Sequence, residues 1–344
     1  MLAPTLSVVI IGRNEGARLT RCLQSIAELQ GAAQIEVIYV DSASTDASPE
    51  NARTYNARVV VLSGEGQTAA RGRNAGWRCA RAEYVLFLDG DTILNPGFPG
   101  AALKILQSDA RIVAVWGHRR ELHPERSIYN RVLDLDWIYL PGITDYFGGD
   151  VVMRRSALVE TGGYDPDLIA GEEPELGRRL RARGYVILHI DTPMTLHDLN
   201  VTRFRQYWLH AVRAGYAYAE ISHRFSRTAD PMWREESRKN MVRGTAWIVW
   251  LCLGVAMAAF RSWGILAWIA VLAGLSLRSA WRARYKAPGR KLLLVLYGIH
   301  SHLQQIPVFF GQLQFLRSRR SGKQAGIIEY KGETDASTGV SATP

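Results

Sequence analysis

Tyr84, Val85, Leu86, Phe87 and Leu88 form an apolar run that stops at Asp89-Gly90-Asp91. Five consecutive apolar residues fit a strand buried in a parallel sheet. The two carboxylates then stand where such a strand leaves the sheet. This carboxyl end is the edge at which open α/β sheets bind ligands. Two acidic side chains around a small Gly offer hard oxygen ligands to Mg2+ or Mn2+, and such a cation can grip a diphosphate. Taken alone, the pair also fits a solvated β-turn. Its neighbours along the chain decide between the two.

Up to Trp116 the chain alternates short apolar runs with helical patterns. Leu6–Ile11, Ile35–Val40, Val59–Leu62, Tyr84–Leu88 and Ile112–Trp116 read as strands, and Arg18–Leu29 fits a crossover helix. The fold class is therefore α/β, a mostly parallel sheet flanked by helices. Leu6–Ile11 is too short for a signal peptide, and no basic segment precedes it. Further on, Gly148–Arg155 looks like a tight turn entering a strand. A helix is expected over Pro174–Arg183, with Pro near its first position and Gly184 just past its end. This unit is assigned residues 1–230.

Nearly half of the 344 residues are hydrophobic, enough for a sizeable core. Cys22, Cys79 and Cys252 are scattered without C-x-x-C spacing, which argues against a disulfide framework or a zinc site and favours a reducing compartment. A net charge of +10 admits nucleic acid, anionic lipid or phosphorylated substrates as partners. Much of the excess lies beyond position 200 beside apolar segments, as in a membrane-surface protein. Nothing resembles a zinc finger or an RRM, so no nucleic-acid partner is expected.

Thr245–Phe260 and Ile265–Leu277 are apolar and uncharged, separated by Arg261-Ser262-Trp263-Gly264. Sixteen helical residues reach only about 24 Å against a hydrocarbon core of about 30 Å. The expectation is a helical hairpin over about 245–277, with two buried helices of a soluble domain as the alternative. Arg234, Arg238, Lys239 and Arg243 precede it; Arg278, Arg282, Arg284, Lys286, Arg290 and Lys291 follow. Both flanks then face the cytoplasm. A third stretch, about 292–316, is broken by His300, His302, Gln304, Gln305, Pro307 and Gln312 and ends at another basic cluster. It reads as interfacial or re-entrant. Residues 231–320 thus form a membrane-associated helical region, and 321–344 a disordered tail.

Four motifs follow in order. They are Ser7–Glu15; Tyr39–Asp46, a strand ending in Asp and a Ser/Thr-rich turn; Ala70–Gly76 with Asp89-Gly90-Asp91; and Gly162–Asp165 with Gly171–Leu176 and Arg178-Arg179-Leu180. Asp41 can accept from a base N–H or a ribose hydroxyl, with Glu15 in the neighbouring loop, or it can close an Asx-turn. Arg71 and Arg73 can face diphosphate charge or be solvated. Glu172, Glu173 and Glu175 can supply a base or merely dress a helix start beside Arg178 and Arg179. Ser63–Gly72 has neither a P-loop nor a full G-x-G-x-x-G.

Taken in order, the motifs resemble the family 2 glycosyltransferases, inverting enzymes with the GT-A nucleotide-diphospho-sugar transferase fold, over roughly residues 5–200. The chain departs from the common pattern at Glu173, where many members carry Asp after a Glu, and at Asp150, where Asn is frequent. The resemblance implies a nucleoside-diphosphate sugar as donor and a divalent metal, Mg2+ or Mn2+, at Asp91 with Asp89 and the late His197. It implies donor contacts from Glu15, Asp41, Arg71, Arg73 and Asp89. Asp150 is placed at an acceptor or sugar hydroxyl. Glu173 is favoured as the base that deprotonates the acceptor, with Glu172 the other candidate. Beside Pro174 at a helix start, Glu173 is expected to be kept ionised by the helix dipole.

Tyr207–Tyr218, aromatic and mixed with Arg203, Arg205 and Arg213, suits an amphipathic helix at a lipid interface. The expected acceptor is therefore lipid-linked or membrane-proximal, in glycan or exopolysaccharide biosynthesis. The expected location is the cell inner (cytoplasmic) membrane, with the catalytic domain facing the cytoplasm. The rival readings are a sugar-1-phosphate nucleotidyltransferase and a non-catalytic membrane subunit of a polysaccharide assembly complex.

Overall fold

A computed structural model describes residues 4–29, 34–64, 67–228, 231–260 and 263–321. Beyond Ser321 the expected tail lies outside the described residues, as do Arg261 and Ser262 between the two apolar runs. The chain opens with β1 (Leu6–Gly12), α1 (Ala17–Ala27), β2 (Ile35–Asp41), α2 (Ser48–Thr54), β3 (Arg58–Val61) and α3 (Ala69–Cys79). Next come β4 (Tyr84–Asp89), β5 (Thr92–Leu94), α4 (Phe98–Ser108), β6 (Ile112–Glu121), α5 (Ile128–Asp136) and β7 (Gly142–Ile143). Then follow β8 (Val151–Arg154), α6 (Arg155–Thr161), α7 (Glu172–Arg181) and β9 (Val186–His197). Five helices close the chain: α8 (Phe204–Arg224), α9 (Arg234–Ala259), α10 (Gly264–Arg282), α11 (Lys291–Leu303) and α12 (Gln305–Ser321).

The strands make one sheet in the order β3-β2-β1-β4-β8-β6-β9-β5, with β7 paired to β9. From β3 to β4 every pairing is parallel, as the helix–strand alternation requires. Leu19, Cys22, Leu23 and Ile26 of α1 recur at helical spacing and are buried. The α3 start is fixed by Thr68, whose hydroxyl accepts from the Arg71 N–H. Beyond β4 the sheet is mixed: β8 runs antiparallel to both β4 and β6, while β9 runs parallel to β6 and antiparallel to β5 and β7. Only Gly90 and Asp91 separate β4 from β5, too few for a crossover, so β5 joins the far edge through β9.

β6 continues five residues past the expected Trp116, to Glu121. Its polar end stays in the sheet by pairing with β9 through several register shifts. The core spans both faces of the parallel half, with Val8, Val9, Ile10, Ile38, Leu86 and Phe87 without exposed surface.

Among the described residues, α9, α10 and the pair α11–α12 are the helical stretches long and apolar enough to cross a membrane. Helix α12 turns back on α8. A Cβ at Gly215 would meet the carbonyl of Val308, and one at Gly311 the carbonyl of Val212, so the two backbones nearly touch. Val212, Tyr216 and Ala219 of α8 pack on Phe315 of α12. On the other side Leu135 at the end of α5 packs on Ala280, Ala283, Ala287 and Leu294. Polar residues in the third apolar stretch serve these joints. His300 bonds Tyr207 Oη at 2.9 Å and Asp136 Oδ2 at 3.1 Å, and Tyr297 donates to Asp136 Oδ1 at 2.8 Å.

Candidate active site

Sheet register assembles the centre. Gly12 pairs with Asp41 and Ile11 with Asp89, so Asp41 and the Asp89-Gly90-Asp91 turn share the carboxyl edge of the parallel strands. β9 pairs His197 with Thr92, which brings the imidazole to Asp91. His197 Nε2 lies 3.2 Å from Asp91 Oδ1. One donor atom each from Asp89, Asp91 and His197 fall within 4.8 Å of one another. Burial, assisted by Arg119, pushes the His197 pKa down to about 4, so the ring is neutral near pH 7. Its Nδ1 is buried with no hydrogen-bond partner among the described residues. Two carboxylates beside a neutral imidazole are a donor set that fits a divalent cation.

Arg73 joins this cluster to a second one. Its guanidinium, 3% exposed, reaches Asp89 Oδ1 at 3.0 Å, Glu172 Oε1 at 2.8 Å and Glu173 Oε1 at 3.2 Å. Gly149 makes the room, since a Cβ there would lie 2.7 Å from Arg73 Nη2 and 2.9 Å from Asp89 Oδ2. The helix carrying the glutamates begins at Glu172 rather than Pro174, after Gly171 in the left-handed region. Glu173 is therefore its second residue. Burial and the adjacent Glu172 outweigh the helix N-terminus and Arg73, and they push the Glu173 carboxyl up to about 7. The dipole expectation of a fully ionised side chain is thus corrected: Glu173 is poised near neutrality.

The remaining candidates are distributed unequally. Asp150 has no exposed surface; it accepts from the Asp89 N–H at 3.2 Å and from Thr195 Oγ1 at 2.7 Å. It stands behind Asp89 as a support. Asp41 is also buried, and its carboxylate accepts from Tyr39 Oη at 3.0 Å and from the Ser44 N–H at 2.8 Å, closing an Asx-type turn. Glu15 pairs with Arg18 at 2.9 Å, and its Cγ lies beside the Gly90 of the acidic turn. Arg71 is half exposed and leans on the 166–167 loop, donating from Nε to the Pro166 carbonyl at 3.2 Å.

Arg119 escaped the sequence reading. From the polar end of β6 its Nη2 reaches Asp89 Oδ2 at 3.3 Å and its Nε lies 3.6 Å from Asp150 Oδ2. The guanidinium sits 4.9 Å over the Trp137 ring, which in turn meets His197 edge-on at 5.1 Å. The available signal was a basic pair following an apolar strand, at the same sheet edge as Asp89.

Residues 7–161 match the family model described as glycosyl transferase family 2. Over this stretch the chain is similar to that family. The matched segment runs from β1 through α6 and includes Asp41, Arg73, Asp89, Asp91 and Asp150, stopping short of Glu172, Glu173 and His197. The chain is 28% identical over 220 residues to validoxylamine A glucosyltransferase of Streptomyces hygroscopicus subsp. jinggangensis (strain 5008), covering 53% of this chain and 52% of that one. It is 26% identical over 166 residues to poly-beta-1,6-N-acetyl-D-glucosamine synthase of Staphylococcus aureus (strain COL), covering 44% and 40%. The chain thus spans about half the length, or less, of these curated relatives. Among solved structures, a mannosyltransferase from Pyrobaculum calidifontis in complex with GDP-Man and Mn2+ superposes with a TM-score of 0.64 at 19% identity, over 92% of this chain and 88% of that one. The likeness is one of fold, and the fold is GT-A.

Proposed function

We propose that this chain is a membrane-associated, metal-dependent inverting glycosyltransferase. It would move one sugar from a nucleoside-diphosphate donor to a membrane-linked acceptor in glycan or exopolysaccharide assembly. The observation that carries the proposal is the Arg73 bridge, which ties the Asp89–Asp91–His197 cluster to the Glu172–Glu173 pair. A charge-stabilising centre and a base of tuned pKa, set side by side, are what displacement of a diphosphate by a hydroxyl needs.

In this reading Asp91, Asp89 and His197 hold Mg2+ or Mn2+, which when bound offsets charge gathering on the departing diphosphate. Glu15, Asp41 and Arg71 line the donor side, with Asp41 acting through the turn it closes. Arg73 keeps Asp89 and the glutamates in fixed relation. Glu173 takes the proton of the acceptor hydroxyl as that oxygen attacks C1 from the face opposite the diphosphate, which inverts the anomeric centre. A carboxyl with a pKa of about 7 is strong enough to accept this proton and still deprotonated in much of the population near neutrality.

Three helices with the length and apolarity of membrane spans support the membrane reading. The basic clusters beside them favour a cytoplasmic face for the sheet. The glucosyltransferase and the N-acetylglucosamine polymer synthase among the relatives favour a hexosyl donor. The test is to incubate detergent-solubilised chain with UDP-, GDP-, dTDP- and CDP-sugars, with and without Mn2+ or Mg2+, and to measure released nucleoside diphosphate. Metal-dependent release from one donor, abolished in a folded Asp91→Ala variant, is expected. Full turnover in that variant overturns the metal role. Release of pyrophosphate from a nucleoside triphosphate and a sugar phosphate instead would make the chain a nucleotidyltransferase.

A further inference from the structure

Three helix faces meet in a groove of about 740 Å³ away from the acidic centre. One wall is the α9 face running from Arg234 and Arg238 through Met241 and Val242 to Ala246. Ser222, His223 and Ser226 of α8 form the second wall, and Gln312, Phe315 and Leu316 of α12 the third. The three sets recur at helical spacing, so each is a single face.

The groove is polarised along its length. Arg234 and Arg238 stand at one end, where α9 is still charged, and the floor passes into the apolar run that begins at Thr245. From Arg238 to Ala246 the rise is about 12 Å, the span from a headgroup phosphate into the acyl region. No Asp or Glu lines the groove among the described residues. Glu235 is turned away to Lys239, at 2.7 Å. Arg319 and Arg227 bring further positive charge to bear on His223 of the wall: after burial, they are what holds it below the ordinary imidazole pKa.

A second observation points to a ligand. Gln312 is 1% exposed and lines the groove. Its Nε2 donates to Ser237 O and Oγ at 3.0 Å. Its Oε1 has no partner among the described residues. A buried amide oxygen without a donor carries a desolvation cost that a hydroxyl-bearing ligand removes.

We infer that this groove binds one anionic phospholipid of the surrounding bilayer, its phosphate between Arg234 and Arg238 and an acyl chain along Met241, Val242 and Phe315. Cations at one end, an acid-free lining and an apolar floor are complementary to a phosphodiester attached to hydrocarbon, and to neither part alone. The inference rests on the membrane reading of α9–α12 and is independent of the reaction catalysed.

The experiment is native mass spectrometry of the full chain in a neutral maltoside detergent, titrated with dioleoylphosphatidylglycerol or dioleoylphosphatidylcholine. One phosphatidylglycerol per chain is expected to be retained, preferred about thirtyfold, the effect of two surface cations on an anionic headgroup. Arg234→Gln with Arg238→Gln removes the preference. Val242→Trp weakens retention by filling the groove without changing charge. Arg284→Gln with Arg290→Gln, the same charge loss on another basic flank, leaves retention intact. Equal retention of the two lipids, or equal loss in both double variants, overturns the inference. Displacement of the lipid by millimolar inorganic phosphate makes this a phosphate site and overturns the acyl half. A chain that stays soluble and monodisperse without detergent defeats the membrane reading itself, a separate outcome read on the same sample.

Discussion

Glu173 occupies the second position of α7 with Glu172 beside it and Arg73 across from it, and in the proposed mechanism its proton balance carries the chemistry. Glu173→Gln keeps the shape and removes the basicity. It is expected to bind donor normally and to lose transfer by about a hundredfold to ten-thousandfold, read as kcat against donor Kd. Unchanged kcat would move the base to Glu172. The wild-type rate should fall as pH drops through about 7, because the raised carboxyl becomes protonated there. The same limb should be missing in Glu173→Gln. Stability runs the other way. Between the ordinary 4.5 and the raised value of about 7, the folded state holds a proton that the unfolded chain has released. Raising the pH across that window therefore costs stability while it gains activity.

The candidate site residues near strand ends were legible because a hydrophobic run that stops at an acid is a local pattern. Asp41, Asp89 and Asp91 are of this kind. Arg119 was not legible, because its value lies in two ion pairs, one to Asp89 and one to Asp150, each about thirty residues away. No periodicity records such a distance. The pKa of Glu173 was missed for a related reason: the helix start is visible in sequence, whereas the burial that outweighs it is not.

Among the elements, α3 both docks a turn of the fold and carries the candidate site residue Arg73. Its Asn74 donates to the Tyr164 carbonyl at 2.7 Å and accepts from the Tyr164 N–H at 2.9 Å, while Trp77 Nε1 donates to Asn74 Oδ1 at 2.9 Å. The Gly162-Gly163 turn docks on this face, and Arg73 lies one residue before Asn74. Gly163 has φ +78° and its Cβ position is only 2.6 Å from Trp77 Nε1, whereas Gly162 has φ +76° and open space. Gly162→Ala should therefore cost about 1 kcal/mol of backbone strain. Gly163→Ala should cost a further 1–3 kcal/mol or so from overpacking and shift Arg73. Urea midpoints separate the two, and equal losses would remove the packing account.

Element existence was readable in the parallel half, where each strand is short and apolar and β1, β2 and β3 are each followed by a helix. The second half was harder. β6 keeps going through His118-Arg119-Arg120-Glu121 because β9 supplies a pairing partner, a tertiary reason with no local trace. The His and Gln residues of the third apolar stretch looked like interruptions, yet α11 and α12 are helical around them because His300, His302 and Gln312 bond to neighbouring helices.

For the molecule as a whole, the sheet and the apolar helices are joined at two places, α8 on α12 and α5 on α10–α11. A chain ended after Thr228 would uncover Val212, Tyr216 and Ala219, with about 1.5–3 kcal/mol of burial lost for each large side chain. Size-exclusion profiles are expected to show that fragment aggregated without detergent, and a monodisperse fragment would show that α8 holds its fold unaided.

At Gly215 and Gly311 the backbones of α8 and α12 meet with no side chain between them, and α8 begins seven residues after His197. With α12 seated in a bilayer as proposed, the reacting carboxylates ride at a constant altitude above the lipid. The fold would then be a depth gauge: a membrane-tethered acceptor hydroxyl would react only if its tether lifted it to that level, so chain length on the acceptor would be sorted by geometry before any sugar is recognised.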